Sequence, residues 1–244
     1  QLLLDKGAIA SAKNEAGDNA LSIASRYGHP FIVQMLLDKR VHVNALNKYF
    51  GSSLMAAVKG DEFEIAEKLL KKKANPHFKF SDGNNALMMA IERGNKNIVK
   101  ILLDRKARLA EENRKHKTAL ILAVENGHSE IVRMLLKSNA NINEKLFDGS
   151  NLLHLSVLKG YRDILKILIE FPRKSQVTYS TIDINEKDKN SLTPLMLAVA
   201  LGDRDSVKFL LDNGADKSIA DIHGYTALSY AKDLANKEII ELLQ

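Results

Sequence analysis

Apolar residues recur along this chain with a period of thirty-three residues. Around each recurrence the apolar positions follow the three-and-four spacing of an amphipathic helix. A second apolar pair follows fifteen or sixteen residues later, as at Leu135–Leu136 after Leu120. The pattern predicts repeated pairs of helices, and therefore a stack of one unit. The leucines that open the units are Leu21, Leu54, Leu87, Leu120, Leu153, Leu195 and Leu228.

The segments around these helices have the composition of turns. Glycine separates the two helices of most units, and it adopts left-handed backbone angles at little cost. Asp61 and Ala235 take the place of that glycine in two units. Between units lie polar segments such as Asp148–Gly149, whose residue types favour tight turns and predict a projecting hairpin. The glycines between helices are Gly28, Gly94, Gly127, Gly160 and Gly202.

Several segments together carry a family signature. Thr193–Ala198 followed by Gly202, and Leu210–Asp216, resemble the ankyrin repeat signature, and Gly127–Val132 repeats part of it. The resemblance covers essentially the whole chain. It implies an all-α solenoid, a curved stack of helix-turn-helix units with β-hairpin fingers at right angles. It also implies binding of other proteins through the fingers and the concave first helices.

The units are predicted to form one array over residues 1–244, which begins like the tail of a repeat and is expected to be a fragment of a longer protein. The step from Leu153 to Leu195 exceeds the period by nine residues, which places an insertion near 170–181. Pro172 is expected to stop the helix there, before a basic, hydroxyl-rich loop that either is merely tolerated or binds a partner. The predicted boundaries are 1–13 for a partial repeat, then 14–46, 47–79, 80–112, 113–145, 146–187, 188–220 and 221–244 for a terminal helix pair.

The chain departs from the family pattern in places. Arg40, Lys73 and Lys106 stand where the pattern usually has Gly after the second helix, so we expect these residues at positive φ. Methionines fill first-helix positions, and Lys, Asn and Ile are abundant. These features resemble the divergent ankyrin arrays of intracellular bacteria or protists. A chain from such a bacterium would be effector-like.

Neither composition nor motifs indicate an enzyme. The chain has no cysteine, which removes thiolate metal sites and thiol nucleophiles. No nucleophile elbow, zinc-binding His-Glu-x-x-His or phosphate loop occurs. We therefore expect no catalytic residue, no metal site and no cofactor. His29, His128 and His154 are interpreted as structural braces between turns.

No membrane span or signal peptide is evident either. No apolar run approaches the ~18 residues that a transmembrane helix needs. We therefore expect an intracellular, cytoplasmic protein, or one in the cytosol of a host cell if the chain is an effector.

Aromatic residues at the predicted finger tips are the first candidate binding group. Tyr49, Phe50, Phe80 and Phe147 would stay exposed to water unless a partner covered them, and exposed aromatics are common interface anchors. Tyr49 and Phe80 belong to adjacent fingers, roughly 8–10 Å apart if repeats space like packed helices, and are expected to line one pocket. Alternatively, Phe80 packs between hairpins, and Gly51 makes the turn in place of Phe50.

Basic residues are the second candidate group. Arg114, Lys115 and Lys117 cluster in one finger, while Lys59 and Arg93 occupy first-helix positions expected on the concave side. A positive groove there would attract an acidic peptide or patch. Neighbouring glutamates would partly neutralise it, and the alternative is an ordinary solvated surface. The aromatic Tyr27 completes the predicted partner-binding set.

Three functions remain open at this point. The leading one is a monomeric, non-enzymatic module that binds a protein partner or peptide through the concave face and finger tips. A second makes the chain the substrate-targeting segment of a larger enzyme or secreted effector, with catalysis in parts that are absent here. The third, nucleic-acid binding through the basic finger, would require affinity that falls steeply with salt. It is disfavoured because a net charge of +6 is modest for 244 residues.

Overall fold

The computed structural model describes residues 2–15, 17–49, 51–174 and 181–244, and within them the predicted helix pairs are present. A short helix, α1 (Leu2–Asp5), comes first. The first helices of the pairs are α2 (Ala20–Arg26), α4 (Ser53–Gly60), α6 (Ala86–Glu92), α8 (Ala119–Glu125), α10 (Leu152–Leu158), α12 (Pro194–Ala200) and α14 (Ala227–Asp233). The second helices are α3 (Pro30–Asp38), α5 (Phe63–Lys71), α7 (Lys96–Asp104), α9 (Ser129–Lys137), α11 (Arg162–Lys174), α13 (Arg204–Asp212) and α15 (Lys237–Leu243).

First helices begin where a short polar side chain can accept a backbone hydrogen bond. Thr193 accepts from the Met196 N–H at the start of α12, and Asn85 accepts from the Met88 N–H at the start of α6. Such caps satisfy a donor that the helix itself leaves unpaired, and each contributes about 1 kcal/mol. The caps therefore fix α6 and α12 directly after their fingers.

The predicted left-handed turns are confirmed. The five glycines between helices have φ between 68° and 74°, and Asp61 and Ala235 adopt φ of 66° and 51° at the equivalent place. Arg40, Lys73 and Lys106 also have positive φ, at 57°, 65° and 58°. The repeat geometry imposes this conformation because the chain must reverse there whichever residue occupies the site.

The chain divides into two compact units, Gln1–Ala119 and Leu120–Gln244, and each has its own apolar layers. In unit 1, α4 packs on both α2 and α6, and in unit 2, α12 packs on both α10 and α14. The leucines that open the first six repeats are fully buried in these layers, with Leu87 and Leu153 at 0% exposure. Within each compact unit, the apolar layer of one repeat is therefore completed by the neighbouring repeat, as expected for a repeat stack.

The fingers form short hairpins. Strand β1 (Leu46–Asn47) pairs antiparallel with β2 (Gly51–Ser52), and single antiparallel bridges such as Lys145 to Asn151 occupy the same place in other fingers. Backbone hydrogen bonds join neighbouring fingers, from the Arg114 N–H to the Asp82 carbonyl (3.0 Å) and from the Lys189 N–H to the Asp148 carbonyl (3.0 Å). These bonds hold successive finger tips side by side within each unit.

The inserted residues follow a lengthened helix. α11 runs to Lys174, so the expected helix stop at Pro172 is wrong by two residues. A proline this close to the end removes one backbone hydrogen bond of the last turn, a smaller loss than in a helix interior. Residues 175–180 of the predicted protruding loop lie outside the described part of the chain.

Candidate protein-binding surface

An asparagine network fixes the bases of two adjacent fingers in unit 1. Asn113 is buried and donates from Nδ2 to Oδ1 of Asn84 (2.9 Å), while Asn84 donates to Oε1 of Glu92 (3.0 Å). The side chain of Asn113 also accepts from the backbone N–H groups of Lys115 (2.9 Å) and Lys117 (3.1 Å). Buried amides that satisfy one another in this way make the finger geometry rigid.

Lys59 lies between two of the predicted aromatic residues. Its ammonium nitrogen is 4.8 Å from the centroid of the Phe80 ring and 3.4 Å from the carbonyl oxygen of Tyr49. Phe80 itself is half-buried, and its ring lies beside Gly51, as the Met55 side chain does. A cation of the protein itself therefore lies beside the Phe80 ring and the backbone of Tyr49, the two residues expected to line one pocket. The Tyr49 side chain remains 56% exposed.

Tyr27 and Arg93 occupy equivalent positions in two repeats of unit 1, 14–46 and 80–112. Each lies directly before the glycine of the turn between helices. Tyr27 is 63% exposed, and the guanidinium carbon of Arg26 lies 5.8 Å from its ring centroid. Arg93 is exposed as well. Unit 1 thus presents aromatic and cationic groups together at its first-helix ends, a combination typical of interface anchors.

The basic finger presents two of its three predicted cations to solvent. Arg114 and Lys115 are exposed, whereas Lys117 is half-buried. His116 holds φ of 56° at the tip, and its Nδ1 lies 3.0 Å from Oε2 of Glu112. Glu112 therefore offsets part of the positive charge of this finger, as the sequence indicated.

The remaining predicted aromatics fall outside this set. Phe147 belongs to unit 2, where its ring is 92% exposed and Nζ of Lys189 lies 4.2 Å from the ring centroid. Phe50 lies outside the described residues, while the adjacent Gly51 has φ of 75°. Of the candidates in unit 1, the structure joins Lys59 to Phe80 and to the backbone of Tyr49, whereas Phe147 belongs to unit 2.

Exposed leucines in unit 2 were missed by the sequence analysis. Leu158, Leu201 and Leu234 lie at the C-terminal ends of α10, α12 and α14, and they are 57%, 51% and 53% exposed. Leucines at helical spacing are usually buried, so their residue type gave no indication that these three are exposed. Their position in the repeat could have predicted the exposure, because Leu201 and Leu234 are equivalent to Tyr27.

A groove of about 430 Å³ lies between α11 and α13 in unit 2. Arg162 lines this groove and pairs with Asp203 (2.6 Å) and Asp205 (2.7 Å). Burial would raise the pKa of Asp203, but hydrogen bonds from Arg162 and Ser206 hold that pKa below its usual value. Leu165 and Phe209 supply the apolar part of the lining.

His154 has the structural role predicted for it. The imidazole is buried, and its Nε2 lies 2.9 Å from the carbonyl oxygen of Leu192 in the next finger. Burial lowers the pKa of His154, and the Leu192 carbonyl partly opposes this shift. His154 therefore links two neighbouring repeats in its neutral form.

Among the residues that the structure describes, no helix is long and apolar enough to cross a membrane.

Comparisons with known proteins agree with this architecture. A model described as ankyrin repeats (3 copies) matches residues 53–145 and 153–244, and a single ankyrin repeat model matches residues 16–48. Many solved structures are similar. One is the crystal structure of the ankyrin repeat domain of Bcl-3, described as a unique member of the IkappaB protein family. It is 23% identical with a TM-score of 0.81 over 94% of this chain and 99% of that one. A search of curated proteins gave no match.

Proposed function

Because this chain belongs to the ankyrin repeat family, we propose that it binds a protein partner through the finger tips and first-helix ends of unit 1. Ankyrin repeats are protein–protein interaction modules, and the fold is a non-catalytic one. The observation that carries the proposal is the exposure of Tyr27, Tyr49, Arg93 and Arg114 on successive repeats of unit 1.

The chemistry of this surface favours an acidic partner. Tyr27 and Tyr49 supply contact area with few rotatable bonds, and tyrosine and arginine are enriched among residues that dominate binding energy. Arg93, Arg114 and Lys115 add positive charge, which accelerates encounter with an acidic peptide or patch. The hydrogen-bonded asparagines beneath the fingers reduce the ordering cost of binding.

Lys59 changes how the aromatic residues contribute. Its ammonium group already covers the Phe80 ring, so a partner meets Lys59 and the exposed Tyr49 side chain. Phe80 acts by holding Lys59 in place. The proposal therefore assigns direct contact to Tyr27, Tyr49, Arg93, Arg114 and Lys115, and a supporting role to Phe80.

Partner capture tests the proposal. The immobilised protein is incubated with candidate cell lysate, and bound proteins are identified and quantified by mass spectrometry. Tyr27→Ala with Tyr49→Ala should abolish capture of the principal partner while helicity and melting stay nearly unchanged, because both side chains are exposed. Capture of the same proteins at wild-type strength would refute the proposed surface.

A charge-matched pair of variants tests the electrostatic part. Reversal of Arg114, Lys115 and Lys117 to Glu should slow association and reduce its salt dependence. The control reverses three exposed lysines away from the surface, Lys39, Lys72 and Lys100, and should leave both nearly unchanged. Equal effects of the two triple variants would show that only net charge matters.

A further inference from the structure

The C-terminal ends of α10, α12 and α14 in unit 2 form a second surface, which the proposed function does not use. Each helix contributes two neighbouring exposed residues, so the surface is a grid of six. The pairs are Leu158 with Lys159, Ala200 with Leu201, and Asp233 with Leu234, and all six are exposed. We name this grid the leucine diagonal.

The three leucines of the grid lie on neighbouring helix ends, because α12 packs on both α10 and α14. Leu158 is in the first position of its pair, while Leu201 and Leu234 are in the second, so a line through them crosses the three helix ends obliquely. Single exposed leucines are common on protein surfaces, but contiguous apolar residues on adjacent elements indicate an interaction site. In unit 1 the equivalent pairs are Arg26 with Tyr27, Lys59 with Gly60, and Glu92 with Arg93, which include one aromatic residue and no leucine.

The spacing of the line identifies the shape that fits it. Packed helices stand about 8–10 Å apart, so successive leucines are separated by roughly that distance. Seven residues of an α-helix rise about 10.5 Å and return to nearly the same face. In a β-strand about 10 Å corresponds to three residues, which places the third side chain on the opposite face. A helix therefore matches all three leucines, and a strand does not.

Charges at the two ends of the grid set the polarity of the partner. Lys159 is exposed beside Leu158, and Asp233 is exposed beside Leu234. Opposite charges across an interface favour one orientation and penalise the reverse. A complementary helix carries a carboxylate near Leu158 and a cation near Leu234.

We infer that the leucine diagonal binds an amphipathic α-helix of a partner protein, with apolar residues seven apart, an acidic side chain at the Leu158 end and a basic one at the Leu234 end. Binding of this kind recognises the apolar face of a helix by anchors at helical spacing. The surface shares no residue with the one proposed in unit 1, so either proposal can fail without the other.

Peptide display tests the inference. Libraries of 21-residue helical peptides, with one face randomised, are selected on the wild-type protein beside a matched library in which prolines prevent helix formation. We expect enrichment from the helical library alone, of peptides with apolar residues seven apart. Absence of enrichment, equal enrichment from the proline library, or enriched peptides without this spacing would each overturn the inference.

Two variants show whether the selected peptides use the leucine diagonal. Leu158→Ser, Leu201→Ser and Leu234→Ser together should weaken binding at least about tenfold, since three side chains would no longer contribute buried apolar area. A control replaces three exposed apolar residues of unit 1, Leu46, Phe31 and Phe63, with Ser and should change affinity less than about twofold. Equal losses in the two triple variants would overturn the site.

The charge polarity has its own test. Lys159→Glu with Asp233→Lys exchanges the charges at the ends of the leucine diagonal. Selection on this variant should enrich peptides with the acidic and basic ends exchanged. Enrichment of the original polarity would show that these charges do not orient the helix and would overturn that part of the inference.

Discussion

The ammonium group of Lys59 covers the ring of Phe80, with 4.8 Å between Nζ and the ring centroid. The two residues belong to different repeats, since Lys59 lies near the end of α4 and Phe80 opens the next finger. The pair therefore links the first-helix face of one repeat to the finger of its neighbour, inside the surface proposed to bind a partner.

A double-mutant cycle measures this link. Lys59→Met and Phe80→Leu should show a coupling energy of about 0.5–1 kcal/mol in urea unfolding, the range of cation–π contacts at exposed sites. The control cycle combines Phe80→Leu with Lys48→Met, an exposed lysine of the preceding finger, and should give coupling near zero. Equal coupling in the two cycles would mean that the Lys59 contact is not specific.

Gly60 should resist substitution although it ends a helix. Helix propensity alone predicts that Gly60→Ala stabilises the protein by about 1 kcal/mol. A Cβ at this position, however, would overlap the carbonyl oxygen of Arg26 in the preceding repeat. We expect Gly60→Ala to destabilise the protein by about 1–3 kcal/mol, as overpacking does, measured by urea denaturation.

The comparison for Gly60 is Gly160→Ala, where the added Cβ would meet no atom within 4 Å and only the positive φ of 69° opposes the change. We expect a smaller loss there, about 1 kcal/mol. A stabilised Gly60→Ala protein would mean that the repeats can separate at this contact without cost.

Lys106 should gain stability when replaced by glycine. Its φ of 58° costs a non-glycine residue about 1–2 kcal/mol, which exceeds the entropy of about 0.5–1 kcal/mol that a glycine loses on folding. We expect Lys106→Gly to raise the free energy of unfolding by up to about 1 kcal/mol. Lys100→Gly removes the same side chain inside α7 and should lower it by about 1 kcal/mol. Destabilisation by both variants would show that the Lys106 side chain makes a contact worth more than the strain.

His154 should make unit 2 sensitive to mild acid. Burial lowers its pKa in the folded state, so below about pH 6.5 the unfolded chain binds more protons than the folded one. The stability that neutral His154 provides is therefore complete above that pH and is lost as the pH falls towards the folded pKa. The urea midpoint should drop between pH 7 and pH 5.

The chain holds seven histidines, so a variant is needed to assign the effect to one of them. His154→Gln keeps an N–H donor for the Leu192 carbonyl but does not titrate. Its midpoint should depend less on pH than that of the wild type. A parallel pH dependence in the two proteins would exclude His154 as the source.

The sequence predicted the repeat architecture because a repeat stack is specified by local, periodic features. Leu87 and Leu153 recur at the period, and both are fully buried. Lys73 was expected at positive φ because its place in the repeat requires a left-handed turn, and it has φ of 65°. Such features depend on register alone, and register is visible in the residues.

Binding residues were harder to predict, because exposure depends on which neighbour covers a side chain. Phe80 was expected either to be exposed at its finger or to pack between hairpins, and the structure places Lys59 of the preceding repeat over its ring. Leu158 ends a helix whose other residues are buried, whereas its own side chain is more than half exposed. Neither fact can be obtained from a single repeat.

The sequence by itself therefore determined the ankyrin stack, its helix pairs and its strained turns, since spacing and local backbone preference specify them. Only the tertiary structure decided that Lys59 lies between Tyr49 and Phe80 and that Leu201 and Leu234 align on adjacent helix ends. The reason is physical: those relationships join residues from different repeats, and their distances are set by the packing of one repeat on the next.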